Sequence, residues 1–74
     1  MTRCQYNVYK TVKEFIEKNG YSPSVREICD LLGYNSPATA ETHLKKLKEK
    51  GYITFIENRS RTIRIIKEFK ITYE

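Results

Sequence analysis

Three helices followed by a β-hairpin, a mainly α fold with a small β element, are what the 74-residue sequence predicts. Three observations carry that reading. Apolar residues recur at helical spacing from residue 5 to residue 50. Two capping serines, Ser24 and Ser36, mark helix starts, and Gly33 between them marks a stop. After Gly51 the apolar period shortens and β-branched residues crowd in.

The first predicted helix covers residues 5–19, with Val8, Tyr9, Val12, Phe15 and Ile16 on one side and Gly20 as its stop. A short extended connection follows, because Pro23 biases Ser22 away from helical angles. Ser24 then opens a capping box: its hydroxyl can bond the Glu27 amide while the Glu27 carboxylate reaches back. The second helix is expected over Val25 to Leu32. Its stripe is Ile28, Leu31 and Leu32, with Val25 and Cys29 beside it. The third starts behind Ser36, with Pro37 at the first helical position, where its missing N–H costs nothing, and runs to about Lys50. A turn of three or four residues that starts with glycine joins the second and third helices, which is the signature of a helix-turn-helix. "YITFIE" and "TIRIIK" read as strands with "NRS" as their turn. The whole order is a winged helix-turn-helix, with the hairpin tip as the wing. Residues 1–66 are assigned to this domain and 67–74 to a C-terminal tail. The tail alternates Phe69, Ile71 and Tyr73 and is compatible with a strand extension, an extra packed element or a frayed end.

On a helical wheel, Ala40, Leu44 and Leu47 fall together and must face the core. Opposite lie Ala38, Thr42, Lys45 and Glu49, flanked by Thr39, Glu41 and Lys46. A helix entering the DNA major groove needs short side chains at its front, so that its backbone can approach base edges. Threonine can bond several bases, glutamate can accept from the cytosine amino group, and lysines behind them attract phosphates. The same lysines would also complement the helix dipole of an ordinary surface helix. The wing carries Arg59 and Arg61 beside Asn58 and Ser60, a grouping suited to phosphate or minor-groove contact or, more plainly, to a solvated edge. Arg64 alternates with Ile63 and Ile65 and points off the sheet. Arg26, at the start of the second helix, either meets the DNA backbone or pairs with Asp30.

The net charge of +5, from 14 Lys and Arg against 9 acids, suits a polyanionic partner but also an ordinary basic protein. Cys4 and Cys29 fit a reduced, cytoplasmic chain, with Cys29 as a small core residue. They lack zinc-ligand spacing with His43, and there is no Gly-rich phosphate loop or activated nucleophile, so no metal, cofactor, small-molecule ligand, membrane contact or enzymatic activity is expected. Tyr9, Tyr21, Tyr34 and Tyr52 are expected to rim the core with wet hydroxyls.

The segments "GYSPSVREI", "LLGYNSPATAETHLKKLKEKGYI" and "SRTIRII" resemble the N-terminal DNA-binding domain of the LexA family of SOS-response repressors, in the same order and with matching gaps from Tyr6 to Ile66. The resemblance implies double-stranded operator DNA as ligand and transcriptional repression as role. The serine that opens the family's recognition helix matches Ser36, and a glutamate in its second turn matches Glu41. Thr39 matches a threonine of one branch. Ala38 stands where another branch has a base-reading asparagine, and Thr42 where a second glutamate can stand, so the operator sequence does not carry over. Family members continue into a self-cleaving serine/lysine protease domain that also dimerises them. These 74 residues contain nothing similar, as would an excised domain or a small stand-alone regulator. No autoproteolysis and weak or absent self-association are therefore expected. The predicted DNA-binding set is Arg26, Ser36, Ala38, Thr39, Glu41, Thr42, Lys45, Lys46, Arg59 and Arg61. The rival is a winged helix serving as a protein-interaction module. It would present a large apolar patch on the third helix or the wing, whereas the front of that helix is small and polar.

Overall fold

The computed structural model describes residues 3–67. Helix α1 spans Arg3–Asn19, α2 Val25–Leu32 and α3 Pro37–Glu49, followed by strands β1 (Ile53–Thr54) and β2 (Arg64–Ile65). The strands pair antiparallel, Ile53 opposite Ile65 and Thr54 opposite Arg64. This is the expected order of a winged helix-turn-helix. Of the predicted tail, all but Lys67 lies outside the described residues. Among the described residues no helix is long and apolar enough to cross a membrane.

One core holds these elements together. Val8, Tyr9 and Val12 of α1, Ile28 and Cys29 of α2, Ala40, Leu44 and Leu47 of α3, and Ile53 and Ile63 of the hairpin are all buried in it. The helix-turn-helix angle is set locally. Ser24 accepts from the Glu27 amide at 3.2 Å, and Glu27 Oε1 accepts from the Ser24 amide at 2.9 Å, so the capping box is complete. Gly33 ends α2 at φ +76°, a left-handed conformation that an L side chain adopts only under strain. The Tyr34 amide then donates to the Cys29 carbonyl at 3.0 Å, turning the chain toward Ser36.

Four expectations need correction. Helix α1 starts at Arg3 rather than residue 5, because Gln5 is held inside the helix: it is buried, and its Oε1 accepts from Lys50 Nζ at 3.3 Å. The stripe of α2 omits Leu31, which is 61 % exposed. The core is met by Val25, Ile28, Cys29 and Leu32, and on a helical wheel Leu31 lies about 110° from the middle of that arc. The strands are two residues long, not six. Asn58 and Arg61 adopt positive φ, +64° and +58°, which breaks the pleat. The Thr62 hydroxyl then stands in for a ladder partner: it accepts from the Ile56 amide at 2.9 Å and donates to the Arg59 carbonyl at 3.2 Å. Finally, the Tyr9 hydroxyl is not wet. Its ring is buried, and the hydroxyl donates to the Lys67 carbonyl at 3.0 Å.

Candidate nucleic-acid interface

The front of α3 is built by its cap. Ser36 is extended, at φ −136° and ψ 134°, and its hydroxyl accepts from the Ala38 amide at 3.2 Å. Pro37 sits in the first turn, so the helix begins abruptly and its tip stands clear of the turn. Ser36, Ala38, Thr39, Glu41 and Thr42 are all exposed, as are Lys45 and Lys46 one turn further back. Burial of Ala40, Leu44 and Leu47 on the opposite side fixes that orientation. The Thr42 hydroxyl donates to the Ala38 carbonyl at 2.9 Å. Its methyl and its remaining lone pairs are what it offers outward.

The four lysines of the helix rear separate into two kinds. Lys48 Nζ donates to the Phe55 carbonyl at 2.9 Å and lies 4.5 Å from the Phe55 ring centre, so it ties α3 to the wing. Lys50 donates to Gln5 and ties α3 to α1. Lys45 and Lys46 remain solvent-facing.

Between α3, the start of α2 and the wing runs a cleft of about 440 Å³. Arg26, Lys45, Arg59 and Arg61 line it, from α2, α3 and the wing, with Glu41 and Glu57 as its acids. Arg26 is exposed and forms no ion pair with Asp30. Four cations and two acids from three elements share one concave surface, a grouping that their positions in the chain do not reveal.

Arg61 behaves differently from its neighbour on the wing. Its guanidinium turns back across the hairpin and donates two bonds to the Glu27 carboxylate, Nη1 to Oε1 at 2.9 Å and Nη2 to Oε2 at 3.1 Å. Nη1 also reaches the Ser22 carbonyl at 3.3 Å, and the group lies 5.2 Å from the Tyr21 ring centre. Arg61 thus commits three of its five N–H donors to Glu27 and Ser22, while its side chain stays 46 % exposed. Nothing in the local sequence announces this pair. Glu27 reads as a capping-box acid and Arg61 as one of two wing cations, 34 positions apart. Ser22 carries no sequence signal either: it is buried, and its Oγ accepts from the Ile63 amide at 3.1 Å, joining the connection before α2 to the hairpin.

The Arg61 bonds, and after them the Ser24 amide, hold the Glu27 carboxyl below the ordinary value of 4.5. A depressed carboxylate stabilises the fold above its unfolded pKa, and the contribution disappears as pH falls through the folded value. Glu27→Gln should therefore melt below wild type at pH 7, and the gap should narrow as pH falls below 4.5. A gap that stays constant as pH is lowered would show that the ion pair is not its source.

The other polar candidates are accounted for by packing. His43 is half-buried, its ring 6.0 Å from that of Tyr34. Burial raises the Tyr34 hydroxyl above its ordinary range, with Cys4 and Cys29 adding to the shift. Among the described residues no group of three His, Cys, Asp or Glu is placed to hold a metal ion. The exposed face of α3 presents no large hydrophobic residue, as expected, but the wing does expose Ile56, by 57 %.

The profile of the LexA DNA binding domain matches residues 1–62. LexA repressor of Desulfatibacillum aliphaticivorans is 45 % identical over 67 residues, covering 90 % of this chain and 33 % of that repressor. LexA repressor of Clostridium novyi is 45 % identical over 64 residues, 86 % of this chain and 31 % of its own length. That of Staphylococcus epidermidis is 40 % identical over 68 residues, 92 % of the chain and 33 % of the repressor. The chain thus spans about a third of the length of the curated relatives it matches.

Proposed function

This chain belongs to the family of LexA DNA-binding domains, and on that ground we propose that it is the operator-binding part of a transcriptional repressor of the SOS type. The single observation that carries the mechanism is the solvent-facing front of α3, whose short side chains end in a proline-started, serine-capped tip beside a cleft lined by four cations and two acids. In this reading α3 enters the major groove. Ser36, Ala38, Thr39, Glu41 and Thr42 meet base edges. Glu41 accepts from a cytosine amino group, and Thr42 offers a methyl and acceptor lone pairs. Arg26, Lys45, Lys46 and Arg59 hold phosphates on either side and set the register of the helix in the groove. Residues 1–66 act as one DNA-binding domain that occupies one half-site, binding weakly unless a second domain occupies the other half of a two-fold site. The chain is not an enzyme in this reading, and its place is with the DNA in the cytoplasm.

Four phosphate contacts imply that log affinity plotted against log salt has a slope of about −3 to −4. Titrating a random-sequence duplex at several salt concentrations measures it, and a flat line would remove the phosphate assignments. Selection of bound sequences from a random duplex pool tests the base-reading half. An enriched motif is the expected result, and a pool that stays random after several rounds would leave only non-specific binding.

The second reading, a protein-interaction module, has one observation behind it, the exposed Ile56 on the wing. The polar face of α3 supports DNA instead.

A further inference from the structure

We propose that Arg61 is a positioning residue that latches the wing to the start of α2, so that Arg59 is presented to the cleft. The proposal rests on the DNA-binding reading above and assigns Arg61 a role different from that of a phosphate ligand. The bonds form one assembly. The guanidinium makes a bidentate pair with Glu27, bonds the Ser22 carbonyl, and sits over the Tyr21 ring. Two residues further along the hairpin, the Ile63 amide bonds the Ser22 hydroxyl. The side chain of Arg61 and the backbone of Ile63 therefore both grip the 21–27 segment.

The wing is braced internally by the Thr62 hydroxyl on Ile56 and Arg59 and tied to α3 by Lys48 on the Phe55 carbonyl, while the Arg61 fork is what ties it to α2. Only two residue pairs are in β register. Arg61 itself sits at φ +58°, where a non-glycine residue is strained. A side chain held at four points keeps the backbone in that conformation, two residues from Arg59, which lines the cleft. Glu27 is anchored in turn by the Ser24 amide, so the latch closes onto a rigid helix start. A planar fork matched to a carboxylate cannot be replaced by a lysine, which carries the charge but not the geometry.

The test compares three variants with wild type in binding to random-sequence duplex at several salt concentrations. Under the latch, Arg61→Gln and Glu27→Gln each weaken duplex binding by about fivefold, although Glu27→Gln removes a negative charge and would by simple electrostatics tighten it. Arg61→Lys weakens binding as much as Arg61→Gln. The slope of log affinity against log salt changes by less than about 0.3 in all three, because Arg61 holds no phosphate in the wild type and the loosened wing still delivers Arg59 to its phosphate in the complex, the loss being the cost of ordering it there. The Ile63 amide exchanges faster in each variant, by about fivefold. The glutamine introduced by Glu27→Gln still satisfies the capping box, so α2 stays formed, and a cooperative melt verifies it.

The proposal is overturned if Glu27→Gln binds as tightly as wild type or tighter while Arg61→Gln loses about one unit of slope, or if Arg61→Lys keeps full affinity. Either result makes Arg61 a phosphate ligand and leaves the DNA reading intact. Failure of that reading looks different: wild type itself would bind duplex with no salt slope.

Discussion

Leu47→Ala should leave the chain largely unfolded at 37 °C. Leu47 is completely buried where α3 meets α1 and the hairpin. Its truncation removes a buried isobutyl group and leaves a cavity, at a cost of about 2–5 kcal/mol. A single core in a chain this small supplies roughly 3–5 kcal/mol of net stability. The loss is therefore comparable to the whole. Thermal melting followed by circular dichroism measures it, and a cooperative transition within a few degrees of wild type would contradict the placement of Leu47. Leu31→Ala is the matched control. Both are leucines on helices of the motif, but Leu31 is 61 % exposed, and its truncation should change stability by less than about 0.5 kcal/mol. A large effect there would restore Leu31 to the core.

The second large effect falls on binding alone. Lys45→Glu combined with Arg59→Glu should weaken duplex binding by about 100-fold or more near 0.1 M salt, and reduce the salt slope by about two units. Each phosphate left without its cation keeps about one counterion that binding would otherwise release, worth about eightfold at that salt, and each introduced carboxylate adds repulsion. Both side chains are exposed, so stability should scarcely move. The pair is informative because the two residues approach the same cleft from different elements. Weakening by one single variant alone, matched by the double variant, would mean that only that residue lies against DNA.

Much of the architecture was legible because it is local. The capping box at Ser24, the left-handed stop at Gly33 and the proline-started helix behind Ser36 each depend on residues within one turn. The buried side of α3 followed from spacing, since a rod with three apolar residues on one line has one way to face a core. Local spacing misleads where two distant segments compete for the same side chain. The α2 stripe could be drawn through Ile28, Leu31 and Leu32 equally well, and only packing beside α3 selected Cys29 in place of Leu31. Strand length was overestimated because β-branched composition speaks for extended backbone, not for the Thr62 hydroxyl that replaces ladder bonds.

The candidate interface divides in the same way. Helical period alone places Ala38, Thr39, Glu41 and Thr42 on the side of α3 away from the core, and all four are exposed; Ser36, read as the cap, is exposed too. Among the cations the period was silent. Lys45 and Lys46 face solvent while Lys48 and Lys50 are tied to Phe55 and Gln5.

What the sequence determined by itself is the set of helices, their caps, and the side of α3 that faces solvent, because each is decided by neighbours at most four residues apart. What only the tertiary structure decided is the fate of each charge: Arg26, Lys45 and Arg59 converge on one cleft, and Arg61 commits its fork to Glu27, 34 positions away. A charged side chain is long and acts on whatever the fold brings within its reach, and that reach is not written in the spacing of the chain.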